Sequence, residues 1–440
     1  MIDSIRERTE RPLAQRDATH DPARKSWVAS ANTSETDFPI QNLPLGVFST
    51  DGTDPRCGVA IGDAVLDLSA AFAAGLVTHR AVTESSLAAL MAQGRAASAA
   101  LRAEVSALLT QGSPAQAQAD ALLVPMAAAR MHLPATIRNF SDFMVSYDHC
   151  LRSGRRRDPE NPLPPAFRQL PVAYHSRASS VRVSGEAVIR PHGQWRRQDG
   201  TMQFGPTEAM DYELEMAIWI AGDNALGAPV PMSAAPDRIF GYGLLNDWSV
   251  RDVQRWEMPP LGPFLGKSVS TSVSPWIVTA EALAPFEVPA PVQDPPALPH
   301  LDSPWNRSNG ALSVRMTAAI LTARMRAEGM EPFLLTDTQF ADMYWTAATM
   351  VAHHTSNGCN LLSGDLLGSG TVSGPEEIAR ACLAEINQTG AVTLPTGETR
   401  RWIEDGDEIV FRGRAEAPGA VPIGFGECRG VLQPAIAWPA

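Results

Sequence analysis

The sequence predicts a mainly β chain with some α, divided into a small N-terminal domain and a larger C-terminal one. Three observations carry that expectation. At 440 residues the chain exceeds the roughly 100–200 residues of one ordinary domain, and its hydrophobic content of 44% suffices for a sizeable core. Its second part alternates short apolar runs with Pro/Gly punctuation, the texture of a mostly antiparallel or mixed β architecture. Its first part holds an Ala/Leu-rich stretch at helical spacing beside a small β unit.

Taken in order, residues 1–36 are polar and of mixed charge, with Arg6, Glu7, Arg8, Glu10 and Arg11 clustered early. They read as a tail lying loosely on the surface, with order beginning near Phe38. The apolar runs 45–48 and 58–68 flank the turn-rich DGTDP at 51–55, which suggests a pair of strands. Leu87, Leu90, Met91, Leu101, Val105 and Leu108 then recur as one or two amphipathic helices. The stretch 112–120 reads as a linker, so the first domain is expected over 37–125 and the second over 130–440. In the second, strands are expected near 180–183, 213–220, 239–245, 276–278, 391–394, 408–411 and 423–425. One helix interrupts them: Thr336-x-x-Gln339 is a capping box, and Phe340, Met343, Tyr344, Ala347, Val351 and His354 form its stripe. Asn357-Gly358 supplies its stop, and the Pro-rich 281–304 is an extended surface excursion.

The formal charge of −12 opposes a nucleic-acid partner, which would call for a basic face. Five widely spaced cysteines with no CxxC pair suggest neither a disulfide framework nor a zinc site, and fit a reducing cytoplasm. No apolar segment approaches the ~18 residues of a membrane span, and no signal-like apolar stretch follows the N-terminal charges. A cytoplasmic protein without membrane or nucleic-acid partners is the expectation. Of 36 basic residues only Lys25 and Lys267 are lysines.

The segment AMDYELEMAIWI (209–220) alternates with period two, placing Asp211, Glu213 and Glu215 on one face. A half-buried strand with a solvated acidic face accounts for it as well as a pair of glutamates chelating a hard divalent cation. Asp247 opens NDWSVRDVQRWE, where Arg251, Gln254 and Glu257 follow at helical spacing. The helix runs into PPLGPFLGKS, a Pro/Gly segment suited to close approach to a ligand, which carries Lys267. An ammonium is a compact point charge and a guanidinium a planar fork, so an Arg-rich chain that keeps a lysine here has a use for the former. In NFSDFMVSYDHC, Asp142 and His149 stand seven residues apart. The pair His353-His354 reads as structural, and Arg155-Arg156-Arg157 as a solvated loop or a clamp on a substrate carboxylate.

Together these segments resemble the fumarylacetoacetate hydrolase family. The strings that carry the resemblance include DFPIQNLPLGVFST (37–50), YHSRASSVRVSG (174–185), DYELEMA (211–217), NDWSVRDVQRWE (246–257), PLGPFLGKS (260–268), HHTSNGCNLLSGDLLGSGTVSGP (353–375), DGDEIVFRG (405–413) and IGFGEC (423–428). Only the first 36 residues fall outside it. The resemblance implies an SH3-like β-barrel domain followed by a mixed β-roll, in a homodimer. It implies Asp142, Glu213, Glu215 and Asp247 as ligands of Mg²⁺ or Ca²⁺, an all-oxygen set. It places the water-activating histidine on His149, its partner on Glu385, and the oxyanion donors on Lys267, Arg251 and Gln254. Arg157, Tyr174 and Thr371 fall on substrate positions, with Arg155 and Arg156 as alternatives to Arg157. Two substrate-holding tyrosines of the family are Met144 and Met258 here, and Tyr147 stands close enough in sequence to replace one phenol. The implied reaction is cleavage of fumarylacetoacetate to fumarate and acetoacetate, the last step of tyrosine and phenylalanine catabolism. An acylpyruvate or other 1,3-diketo acid is the alternative substrate, and a non-catalytic metal-binding scaffold the alternative role.

Overall fold

The computed structural model describes residues 16–439. Of the expected tail, residues 1–15 lie outside the described residues. The remainder is docked rather than loose: Thr19, His20, Ser26, Val28 and Ala31 are buried. The cause is a side chain the apolar pattern does not reveal. Arg102, buried on the helix Arg95–Leu109, donates to Thr19 Oγ1 (3.0 Å) and to the backbone carbonyls of Gln41 and Asn42. Trp27 Nε1 donates to Leu108 O at 2.9 Å, and His20 Nε2 lies 2.9 Å from Glu281 O in the other domain.

The N-terminal domain is an antiparallel sheet in the order Leu123–Pro125, Ala64–Asp67, Arg56–Ile61, Leu45–Ser49, Arg130–His132. The helices Ala88–Ala92 and Arg95–Leu109 bury Leu90, Met91, Leu101, Val105 and Leu108, as their spacing predicts. The strand Arg130–His132 lies within the range assigned to the second domain but pairs with Leu45–Ser49. The sheet therefore runs past 125, because main-chain pairing and the His132 Nε2–Ser49 Oγ contact (2.8 Å) claim a segment that composition alone leaves neutral.

The C-terminal domain is built from two main sheets. One has eight strands, with Val172–His175, Phe140–Met144, Leu366–Gly368, Leu214–Ile220, Ile239–Asp247, Thr271–Val273 and Val181–Val183 in that order, and Val278–Thr279 paired to Ile239–Asp247. The other runs Phe333–Gln339, Val314–Leu321, Glu408–Ala415, Ile423–Gln433, Val188–Ile189. Leu214, Met216 and Ile218 pack toward Met316, Ile320, Phe411 and Phe425, forming the main core. Ala217 and Trp219, on the other face of the same strand, join the core of the N-terminal domain. The strand is buried on both faces, so the solvated acidic face does not exist, and Glu213 and Glu215 lie in the interior.

Three local expectations change. Thr336 and Gln339 form no capping box: they belong to the strand Phe333–Gln339, and Thr336 Oγ1 donates to Arg380 O (2.8 Å). The helix is Ala347–Thr355, capped by Thr346, whose hydroxyl accepts from Thr349 N. A nonlocal ladder with Val314–Leu321 outcompetes the local cap. Asp247 ends a strand instead of opening a helix, and the arginine triplet forms the last turn of the helix Tyr147–Arg157 instead of a loop. Gly358, at φ 89°, provides the expected stop. No helix among the described residues is long and apolar enough to cross a membrane.

Arg102→Ala is expected to destabilise the protein by about 1–3 kcal/mol for each carbonyl left unpaired. A urea midpoint equal to wild type would show that residues 17–36 dock without it.

Candidate active site

The sheet order assembles the acidic residues. Asp142 sits on Phe140–Met144, Glu215 on Leu214–Ile220 and Asp247 at the end of Ile239–Asp247. Between the first two runs Leu366–Gly368, with Gly368 in register with Asp142. A Cβ on Gly368 would stand 2.8 Å from Asp142 Oδ1 and 2.9 Å from Glu215 Oε2, so only glycine lets these carboxylates converge across the strand. Asp142, Glu215 and Asp247 are buried, with oxygens within 4.8 Å of one another. Asp142 Oδ1, Glu215 Oε1 and Asp247 Oδ1 have no hydrogen-bond partner, and neither does the buried Thr371 Oγ1. Converging buried carboxylate oxygens without donors are what a hard divalent cation satisfies, so this donor set fits one.

Glu213, the fourth expected ligand, is held differently. Its Oε1 lies 2.7 Å from Arg251 Nη2, and its Oε2 takes the Lys267 ammonium. Lys267 Nζ also reaches Asp247 Oδ2 at 2.5 Å. The ammonium is a bridge between two carboxylates, which a planar fork would fill less compactly. Tyr174 donates to Asp142 Oδ2 (2.6 Å) and Asp247 Oδ2 (3.3 Å), so its phenol braces the carboxylates.

Burial sets the electrostatics, and neighbours set its sign. Burial, then the Asp247 charge, pushes the Asp142 carboxyl up to about 8. Burial followed by Asp142 and Asp247 raises Glu215 well above its ordinary value. Asp247 is also raised by burial, although Lys267 opposes the shift. Burial would raise Glu213 too, but Lys267 and Arg251 outweigh it and hold that carboxyl well below the usual range. Burial works against the charged Lys267, yet Asp247 and Glu213 keep it firmly protonated.

His149 lies in the first turn of Tyr147–Arg157, where Ser146 caps the helix by accepting from His149 N at 3.0 Å. Its Nδ1 is 2.5 Å from Glu385 Oε1, on the short helix Leu383–Ile386. Ser373 Oγ donates to the same oxygen (2.6 Å), and Arg152 Nη1 to Glu385 Oε2 (3.1 Å). Burial would raise Glu385, but His149, Ser373 and Arg152 hold it below the ordinary range. An ionised Glu385 at Nδ1 keeps the proton on that nitrogen and leaves Nε2 as the basic one.

On the helix Arg251–Glu257, Arg251 Nη1 donates to Gln254 Oε1 (3.0 Å), so the carboxamide faces other partners with its NH₂ group. Glu257 accepts from the backbone N–H groups of Phe264, Leu265 and Gly266 at 2.7, 3.0 and 2.8 Å. That clasp holds the Pro/Gly segment. Gly266 is pressed against the Gln254 backbone, where a Cβ would stand 2.8 Å from Gln254 Cα, instead of against a ligand position.

Not every expected residue joins this arrangement. Arg155, Arg156 and Arg157 are exposed, and Arg156 Nη1 donates to Ala384 O (3.1 Å). Arg152, on the same helix, is the arginine that reaches Glu385. The i,i+3 spacing from His149 was its only sequence signal. Ser373 carried none. Met144 ends the Asp142 strand and shares its face, while Met258 follows the Arg251 helix and is 37% exposed. Tyr147 does not stand in for a lost phenol: its hydroxyl accepts from Arg168 Nη2 (3.1 Å) and its ring packs with Phe167 and Tyr344. His354 is structural as expected, with Nε2 2.8 Å from Ser141 Oγ.

Comparison with known proteins covers nearly the whole described chain. Residues 41–134 match the family model "Fumarylacetoacetase N-terminal" and residues 140–433 match "Fumarylacetoacetate (FAA) hydrolase C-terminal". The chain is 46% identical to fumarylacetoacetase of Caenorhabditis elegans, over 93% of this chain and 99% of the relative. It is 43% identical to that of Bos taurus, over 92% and 98%. Among solved structures, a fumarylacetoacetate hydrolase from Exiguobacterium antarcticum superposes with a TM-score of 0.50 at 17% identity, covering 89% of this chain and 99% of its own. That likeness concerns the fold.

Proposed function

Since this chain belongs to the fumarylacetoacetate hydrolase family, we infer that it is a hydrolase that cleaves the carbon–carbon bond of fumarylacetoacetate to fumarate and acetoacetate, the last step of tyrosine and phenylalanine catabolism. The observation that carries this reading is the 46% identity with a fumarylacetoacetase along 93% of the chain. The geometry supports the following roles.

Asp142, Glu213, Glu215 and Asp247 would hold Mg²⁺ or Ca²⁺, the two common ions that prefer oxygen donors. When bound, the cation polarises the carbonyl under attack and carries charge as it passes to the leaving enolate. The chain's own groups supply the rest. His149 Nε2 takes a proton from the attacking water, while Nδ1 stays on the ionised Glu385. Water oxygen adds to the ketone carbonyl of the fumaryl group, which becomes the new carboxyl of fumarate, and the bond from that carbon to the methylene between the two ketones then breaks. Its electron pair leaves as the enolate of acetoacetate, and the proton held on His149 restores the carbon–hydrogen bond there. Arg251, Lys267 and the Gln254 amide donate to the oxyanion, an effect typically worth about 2.7–4 kcal/mol per donor. Tyr174 and Thr371 face the bound substrate, with an arginine of the 155–157 turn as its carboxylate clamp.

Met144, Met258 and the engaged Tyr147 favour a second reading of specificity. Two methionines where the family carries phenols remove two hydrogen-bond donors, which suits a shorter 1,3-diketo acid such as an acylpyruvate. We also read the chain as a cytoplasmic homodimer, on the family resemblance and on five free cysteines.

Purified protein is expected to bleach the enol absorbance of fumarylacetoacetate, to lose that activity in EDTA and to regain it with Mg²⁺ or Ca²⁺. Faster turnover of acylpyruvates would move the substrate assignment to them. His149→Ala is expected to lose turnover by at least about 10²-fold while its Mg²⁺ affinity stays near wild type. A variant that keeps most activity would show that another group is the base.

A thermal-shift series tests the ligand set. Without metal, burial raises Asp142, Glu215 and Asp247 from their ordinary values, so they favour folding while protonated and oppose it as pH rises through their folded values. Glu213, held low, stays ionised from pH 6 to 8 and adds no slope there. A cation that binds only the ionised forms removes the penalty, so the Tm gain from saturating Mg²⁺ or Ca²⁺ should be larger at pH 8 than at pH 6. Equal gains would exclude these three residues as ligands.

A further inference from the structure

Asp211 is fully buried, and the reaction described above leaves it without a task. It lies in the acidic alternation of residues 211–215, yet it is absent from the group of converging carboxylates, and both its oxygens are taken by N–H donors. Oδ1 accepts from Tyr212 N (2.9 Å) and Leu383 N (2.8 Å). Oδ2 accepts from Ala384 N (3.0 Å) and Arg251 Nε (2.8 Å). Each partner leads to a reacting group. Leu383 and Ala384 open the turn Leu383–Ile386 that carries Glu385, the residue bonded to His149. Arg251 extends its other nitrogens to Glu213 Oε1 and Gln254 Oε1. A single carboxylate thus joins the support of the base to the cation expected at the oxyanion.

We propose that Asp211 is a positioning residue for the hydrolysis, setting the Glu385 turn and the Arg251 guanidinium relative to each other. The proposal rests on the reading above and deepens it. Four donors converge on two buried oxygens, which only a carboxylate can satisfy. An Asn that kept its oxygen at the Oδ1 position would turn an NH₂ group toward two N–H donors, releasing Ala384 and Arg251 together. A misplacement of about 1 Å at such groups is enough to cost about 10²-fold in rate.

The test is a double-mutant cycle on fumarylacetoacetate with wild type, Asp211→Asn, Arg251→Ala and the double variant, each read as kcat, KM and urea midpoint. The expected result is a kcat about 10²-fold lower in Asp211→Asn with KM within a few-fold of wild type. The double variant should then lose less than the product of the two single losses, because the part of the Asp211 effect that runs through Arg251 is already removed while the part that runs through the Glu385 turn remains. Two losses that multiply, or an Asp211→Asn variant within a few-fold of wild type, would overturn the proposal. Should Asp211→Asn prove too unstable to purify, Asp211→Glu enters the same cycle. Having the charge and both acceptors, it should recover part of kcat and remain non-multiplicative with Arg251→Ala. Multiplying losses there overturn the proposal equally. A wild-type protein inactive on fumarylacetoacetate would instead overturn the reading of the reaction.

Discussion

The C-terminal domain is organised around an excess of buried carboxyl groups over buried cations. Asp142, Asp211, Glu213, Glu215 and Asp247 are all interior, and two cations, Lys267 and Arg251, lie among them. Isolated charges of this kind would each cost several kcal/mol of desolvation. The cost is met unevenly. Glu213 is held ionised by Lys267 and Arg251, and Asp211 accepts from Arg251 and three backbone N–H groups, whereas Asp142, Glu215 and Asp247 keep oxygens with no protein partner. The imbalance is what makes the site receptive to a divalent cation. It also explains why Gly368 leaves room for two carboxylates to converge and why the Glu257 clasp fixes the segment that carries Lys267.

Rigidity comes from burial on two sides. The strand Leu214–Ile220 contributes one face to the core between the two large sheets and the other to the core shared with the N-terminal domain. The small domain is therefore more than an appendage: by covering Ala217 and Trp219 it keeps the strand that carries Glu215 out of water. His149 is anchored separately, by the Ser146 cap and by Glu385 with its hydroxyl and guanidinium donors. Asp211 and Arg251 link the turn that carries Glu385 to Glu213.

Much of this was legible along the chain because the relevant signals are local. Alternation marked the strand that carries Glu215, and the spacing of Leu101, Val105 and Leu108 marked a helix whose buried face they form. The scarcity of lysine pointed to Lys267, whose ammonium bridges Glu213 and Asp247. Where local patterns competed with pairing across the sheet, pairing won. Thr336-x-x-Gln339 has the form of a cap, yet its backbone is taken by Val314–Leu321. Residues 17–36 look like tail because their anchors, Arg102 and the carbonyl of Glu281, are distant in sequence.

The sequence by itself determined the β-rich architecture, the acidic alternation of residues 211–215 and a family resemblance spanning all but the first 36 residues, which brought with it the roles expected of Asp142 and His149. The first two follow from periodicity and from side-chain types, which are properties of neighbours along the chain. Only the tertiary structure decided what each charge does. Asp211 and Glu215 share one alternation, but one is saturated by four donors and the other holds an unpartnered oxygen. Arg157 and Arg152 share one helix, but Arg152 reaches Glu385. Charge roles depend on which distant segments close over a group and exclude water, and no spacing within a single strand or helix encodes that.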